Sequence, residues 1–231
     1  MRAGGPALAG LFWMVCASYG LGGGPYPLEG EEPELDLAPL DEQVPAQQIA
    51  EWMREQGHTA KITGSRARNL NPIIISSGDH RRVELAWWWL HFGGKPAKFS
   101  AFNSRADALT RRWKAGLHQR GLAPATWYVE KGRTFGLGGQ AFGIAAITTT
   151  ATQPDGSELL TYSIVTREAV GPAASVHPRM PLIVPRELEA EWLYPGIPGD
   201  DGFIADVVAA SDEVSHAVEI ADPPQATATL L

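Results

Sequence analysis

"AFGIAAITTTATQPDGSELLTYSIVTREA", residues 141–169, decides how this chain folds. Its two halves, 141–152 and 158–169, are rich in Ile, Val, Thr and aromatic residues, which pack well on a pleated surface. Between them "QPDGS" (153–157) supplies the Pro, Asp and Gly that close a turn. A long hairpin therefore occupies the middle of the chain. Further β-prone runs lie upstream in "NPIIISS" (71–77), "RVELAWWWLHF" (82–92) and "ATWYVEKG" (125–132), each bounded by turn residues.

Helical patterns flank these strands. "PAQQIAEWMREQG" (45–57) sets Ile49, Trp52 and Met53 on one face, with Gly57 as a stop. "SRADALTRRWKAGLHQRG" (104–121) predicts a helical stretch ending at Gly121, and "PRELEAEWLYPG" (185–196) a helix with an acidic first turn. Residues 17–43 are rich in Gly, Pro and acids and read as loop, and the chain after Gly199 reads as an acidic, partly disordered tail. The sum is an α+β domain.

With 231 residues and 44% hydrophobic content, the chain can bury one full core. Its single cysteine, Cys16, excludes an internal disulfide framework and any CxxC metal site, so a reducing cytoplasm is the expected compartment and no metal or cofactor is expected. No apolar run reaches the roughly 18–20 residues that cross a bilayer, so no membrane partner is expected. "MRAGGPALAGLFWMV" (1–15) has the Arg and apolar patch of a secretory leader, but Gly10 interrupts the patch and no small-x-small cleavage site follows.

The net charge of −7 hides a segregation. Residues 61–140 hold fourteen Lys/Arg against four acids, a balance of +10, while the remainder carries −17, largely in "LEGEEPELDLAPLDE" (28–42) and after Pro185. Such a distribution fits a phosphate-binding face on an acidic body, and equally a set of solvated surface cations.

Cys16 has two readings. A lone cysteine is most often a small buried hydrophobe. At a chain end, however, the thiol (pKa about 8.5) and the α-amine (about 8) are both partly nucleophilic. Such a 1,2-aminothiol condenses with an aldehyde to a five-membered thiazolidine, which an internal cysteine cannot do. Valine is encoded by GUN, and GUG is a bacterial start codon read as Met. A start at position 15 gives Met-Cys-Ala-Ser, and removal of the initiator leaves Cys16 first. Residues 1–15 are therefore expected to be a mis-assigned start or a propeptide, 16–195 the domain, and 196–231 an acidic segment partly packed on it.

Three other stretches carry candidate chemistry. "FNSRADAL" sets Asn103 and Arg105 on one face if extended, or Asn103 caps a helix. "LAPATWYVEKG" places Glu130 in an aromatic strand, where the carboxyl either points outward or has a raised pKa suited to acid/base work. "SVHPRMPLIV" places His177 in a turn before an apolar strand, as a proton-transfer group or a satisfied loop histidine.

Cys16, "NSRA" (103–106), "PATWYVE" (124–130) and "HPRMPLIV" (177–184) together resemble the SOS-response-associated peptidase (SRAP) family, with matching order and rough spacing over residues 16–193. "WWWLHFGGKPAKF" and "NLNPII" resemble its bacterial and phage branch. The resemblance implies a mixed β-sheet, barrel-like core flanked by a few helices. It implies a monomeric, nucleoid-associated protein that attaches covalently to abasic sites in single-stranded DNA. By position, Cys16 is then the nucleophile, Asn103 holds its amine, Glu130 shuttles protons, and His177 assists proton transfer. Arg105 and Arg179 resemble the phosphate-contacting arginines, with Arg111 and Arg112 beside them, and Trp88 supplies a stacking platform. The chain departs from the family pattern with Pro178 where Asp is commoner, and with Glu219 at a late amide position. Two alternatives stay open, a binding module with a blocked cysteine and a thiol peptidase.

Overall fold

The structure, a computed structural model, describes residues 16, 18–22, 43–62, 68–77 and 80–221. Residues 1–15 and the acidic run 28–42 lie outside the described residues. The chain starts with β1 (Ser18–Gly20), α1 (Gln43–Gln56) and β2 (Thr59–Lys61). Two paired strands, β3 (Leu70–Ser77) and β4 (His80–Trp87), precede the short β5 (His91–Phe92), β6 (Lys95–Pro96) and β7 (Asn103–Arg105). After α2 (Leu109–Arg112) come β8 (Arg120–Ala125), β9 (Trp127–Glu130) and β10 (Arg133–Gly136). The long hairpin is β11 (Phe142–Thr152) and β12 (Glu158–Glu168). α3 (Gly171–Ala174), β13 (Arg179–Pro181), β14 (Ile183–Val184), α4 (Glu189–Leu193), α5 (Asp201–His216) and β15 (Glu219–Ala221) complete the order.

Five of these strands close into a barrel. β4, β3, β8, β11 and β12 pair in that order, and β12 returns to β4 through one parallel contact, Thr161 with Trp87. Both faces of the β11 and β12 strands are covered, which explains why 142–148 and 160–167 read as unbroken buried runs rather than alternating ones. Two residues in β8 show how tightly the ring is drawn. A Cβ on Gly121 would sit 2.7 Å from Ile73 Cγ2, so only glycine lets β3 and β8 approach. Pro124 lies beyond the part of β8 that pairs with β3, so its missing N–H is not needed there. A second, five-stranded sheet runs in the order β15-β10-β9-β1-β2. Tyr19 joins the two sheets: its ring meets Trp88 edge-on at 5.0 Å, Trp88 stacks on Tyr162 at 5.8 Å, and the two tyrosine hydroxyls lie 2.7 Å apart.

The expected α+β class and barrel-like core are present, with α1 burying Ile49, Trp52 and Met53 as its spacing predicts. Three local expectations change. The 104–121 stretch is not one helix: it begins inside β7 and breaks into short turns at Trp113, whose φ of −121° is outside the helical range. Residues 18–20 form a strand inside what reads as loop. Residues 200–221 are ordered as α5 and β15, where Asp200 caps the helix by accepting from the Phe203 N–H at 2.9 Å, while 222–231 lie outside the described residues. Ile204, Val207, Ser211 and Ser215 then recur at helical spacing on its buried face.

Arg120, counted in the basic block, is interior. Its guanidinium donates to the carbonyls of Trp192, Leu117, Tyr194 and Ile197 at 2.5–3.2 Å and tethers the end of α4 to the barrel. Replacing it by Met strands those acceptors, and Arg120→Met should lower the unfolding free energy in urea titrations by about 3 kcal/mol or more.

Candidate active site

β1 is clamped on both edges, with Tyr19 opposite Ala60 of β2 and opposite Tyr128 of β9. Gly20 permits the clamp, since a Cβ there would lie 2.1 Å from the His58 carbonyl and 2.3 Å from the Trp127 ring. The register Ser18 to Val129 aims the preceding residues at Glu130, the last residue of β9. There the Cys16 backbone N–H donates to Glu130 Oε2 at 2.6 Å. Both residues are buried, and Cys16 holds a left-handed φ of +45°, uncommon for a residue with a side chain.

Burial raises the Glu130 pKa above its ordinary value, opposed by the Cys16 N–H bond and by the nearby charges of His177 and Lys131. Its second oxygen, Oε1, is buried without a hydrogen-bond partner among the described residues. Burial also drives the Cys16 thiol up, and the Glu130 charge adds to that. His177, buried in the turn after α3, sets Nδ1 3.1 Å from the Arg179 N–H and 3.0 Å from the Arg179 carbonyl oxygen. Cys16, 114 residues from Glu130 in sequence, Glu130 and His177 therefore form one buried group.

Arg105 and Arg179 form a second group. They flank β12 on strands β7 and β13, opposite Thr166 and Glu168, and each acts electrostatically on the other. Arg105 is exposed and makes a two-point ion pair with Asp107, at 2.5 and 2.9 Å. Arg179 is half-buried and donates to the Thr166 hydroxyl at 3.1 Å. Beside them a cavity of about 320 Å³ is lined by Asp107, Arg167, Glu168 and the α5 residues Ile204 and Val208. Asn103 precedes this pair on β7, opposite Ile164 and half-buried.

Other expectations need correction. Trp88 is 1% exposed, sandwiched between Tyr19 and Tyr162, with its indole N–H on the Phe102 carbonyl at 2.8 Å, so it is a core residue rather than an open platform. The exposed aromatic of this region is Phe99, 55% accessible and packed on Phe92 and Trp113, with exposed Lys95 and Lys98 just before it in the chain. The signal for it is an aromatic that follows two lysines in "GGKPAKF", close to three tryptophans that draw attention first. Arg111 and Arg112 are exposed, Arg111 donating to the Asp107 carbonyl at 2.8 Å. The basic block is partly internal or paired: besides buried Arg120, half-buried Arg81 pairs with Glu189 at 3.1 Å, and exposed Arg82 pairs with Glu84 at 2.5 Å. Among the described residues no group of His, Cys, Asp and Glu is placed to hold a metal, and no helix is long and apolar enough to cross a membrane.

A closed barrel with a cysteine delivered to a buried glutamate and histidine defines a class of thiol-bearing α+β proteins. The family model described as SOS response associated peptidase (SRAP) matches residues 40–220, and the chain belongs to that family. The matched segment contains Asn103, Glu130 and His177 and begins after Cys16. No curated protein matches the chain. Among solved structures, a Bordetella bronchiseptica protein shares 17% identity over 90% of this chain and 100% of its own, with a TM-score of 0.59. A Bacteroides thetaiotaomicron protein shares 22% identity over 65% and 72%, with a TM-score of 0.52. A phage-related protein of Bordetella bronchiseptica shares 19% identity over 71% and 85%, with a TM-score of 0.50. At these identities the likeness is one of fold.

Because the Glu130 pKa is raised in the fold above its unfolded value near 4.5, the carboxyl stabilises the protein below that pH and loses the contribution as pH rises through the folded pKa. Glu130→Gln keeps an acceptor for Cys16 and abolishes this loss. Thermal melts from acid to neutral pH should show the variant gaining on the wild type as pH rises.

Proposed function

We propose that this protein binds single-stranded DNA and captures abasic sites through a thiazolidine on Cys16. The observation that supports this most directly is the Cys16 nitrogen 2.6 Å from a buried carboxyl, because nitrogen and sulfur of one residue must both reach the same sugar carbon. An abasic sugar is mostly a closed hemiacetal. Glu130, with a pKa raised by burial, is suited to pass a proton at the ring oxygen and open the sugar to its aldehyde. The α-amine then adds to C1′, Glu130 passes the two protons that nitrogen loses to the departing oxygen, and water leaves. The thiol adds across the resulting C=N bond, its sulfur to carbon and its proton to nitrogen, and closes the ring. His177, whose charge acts on Glu130, assists these transfers, and Asn103 orients the amine.

Ring closure requires a free α-amine on Cys16, hence a chain in which no peptide bond joins it to Val15. If the upstream residues are made and then removed by hydrolysis, Glu130 already stands at the nitrogen that must take up a proton. Arg105 and Arg179, with Arg111 and Arg112, would bind phosphates along the strand. Phe99 takes the stacking role first assigned to Trp88, with Lys95 and Lys98 beside it.

The decisive experiment is incubation with single-stranded DNA carrying one abasic site, followed by denaturing electrophoresis and intact-mass measurement of the protein. Wild type should begin at Cys16 and yield a heat-stable adduct, which Cys16→Ala should lose completely. An adduct persisting in Cys16→Ala, or a native chain still bonded to Val15, defeats the mechanism. In fluorescence anisotropy with undamaged single strands, Phe99→Ala should weaken binding at least about fivefold, the low end of a lost base stack.

A further inference from the structure

Tyr128 and Glu130 are two residues apart on β9, so their side chains leave the same face of the strand. Tyr19, which follows Cys16 on β1, stands directly opposite Tyr128. The Tyr128 ring is fixed by stacking on Phe135, at 4.9 Å and 9° between planes. Its hydroxyl is buried and, like Glu130 Oε1, has no hydrogen-bond partner among the described residues. A buried donor and a buried acceptor are thus both left open on one strand face beside Cys16. Such orphans are rare in folded proteins and mark places where a partner arrives later.

The sulfur needs such a partner. Its one hydrogen bond, a 4.0 Å contact with the Ser18 carbonyl, uses the thiol as donor and brings no proton toward it. The attacking form is the thiolate, and an anion buried without a donor bears its full desolvation cost. Ionised Cys16 acts electrostatically on three hydroxyls, those of Tyr19, Tyr128 and Tyr162. Tyr19 and Tyr162 are already bonded to each other at 2.7 Å. We infer that Tyr128 is a further residue of this site, whose hydroxyl donates to the Cys16 sulfur as the thiolate forms. Burial pushes this phenol up, so it stays protonated and can lend a hydrogen bond without losing its proton. Of the other groups near the sulfur, Glu130 on β9 opposes its ionisation, while His177 and Lys131 act on Glu130.

The inference rests on the proposed function only in taking Cys16 as the reacting residue, and it can be tested without DNA. Cys16 is the sole cysteine, so iodoacetamide uptake followed by mass reports that sulfur alone. In the folded full-length chain, Tyr128→Phe should be labelled at least about tenfold more slowly than wild type from about pH 7 to about pH 10. Its melting temperature and its labelling rate in denaturant should match wild type, since no bond seen in the fold is removed. 3-Fluorotyrosine at position 128 keeps the ring, strengthens the donor and should speed labelling. A wild type no more reactive than Tyr128→Phe, or a fluorinated protein no faster than wild type, overturns the inference. Failure of wild type to capture an abasic site would strike the proposed function instead, leaving the labelling comparison to decide on Tyr128.

Discussion

Ser18–Gly20 is bonded along both edges, to β2 and to β9, and that double pairing is the constraint from which the site follows. Three residues of strand would be marginal alone. Here the strand is interior to a five-stranded sheet, glycine at its end admits a carbonyl and an indole, and Tyr19 bridges to the barrel. With β1 fixed this way, the residue two positions ahead has little freedom, and its nitrogen arrives at the end of β9. Position is the first thing the fold supplies to Cys16.

The burial that positions these groups also opposes their ionisation. The thiol, Glu130 and the nearby tyrosines are all pushed toward their neutral forms by loss of water. Loss of water thus favours the uncharged form of each of these groups, inside a core that also contains Trp88 and Leu90. The arginine pair lies on the other sheet: Arg105 and Arg179 sit across β12, and the Arg179 backbone meets His177 of the buried cluster.

Local patterns announced most of the elements. β11, β12, β3, β4 and the Ile49–Trp52–Met53 face of α1 follow from composition and spacing alone. Closure of the barrel does not, because the Thr161–Trp87 contact joins residues 74 apart through a single parallel pair. The α5 helix was hidden by its acidic surface, although the Asp200 cap and the buried Ile204 and Val207 were in the sequence. At the site, Glu130 stood out as a charge in an aromatic strand, and His177 and Arg179 through a motif. Trp88 misled because sequence shows ring chemistry but not which of three consecutive tryptophans faces inward. Arg120 misled for a related reason, since a count of cations cannot tell a solvated guanidinium from one that holds four carbonyls. Tyr128 lies inside "PATWYVE", but that motif gives it no role, and only the pairing with Tyr19 and the unpartnered hydroxyl drew it in.

The left-handed backbone of Cys16 has a consequence of its own. A φ angle describes rotation about a bond whose far side is the preceding carbonyl carbon, and a side chain in that region costs roughly 1–2 kcal/mol. A polypeptide that opens with this cysteine has no preceding carbonyl, hence no such rotation to be penalised. The pocket would thus hold a leading residue with less strain than it holds an interior one.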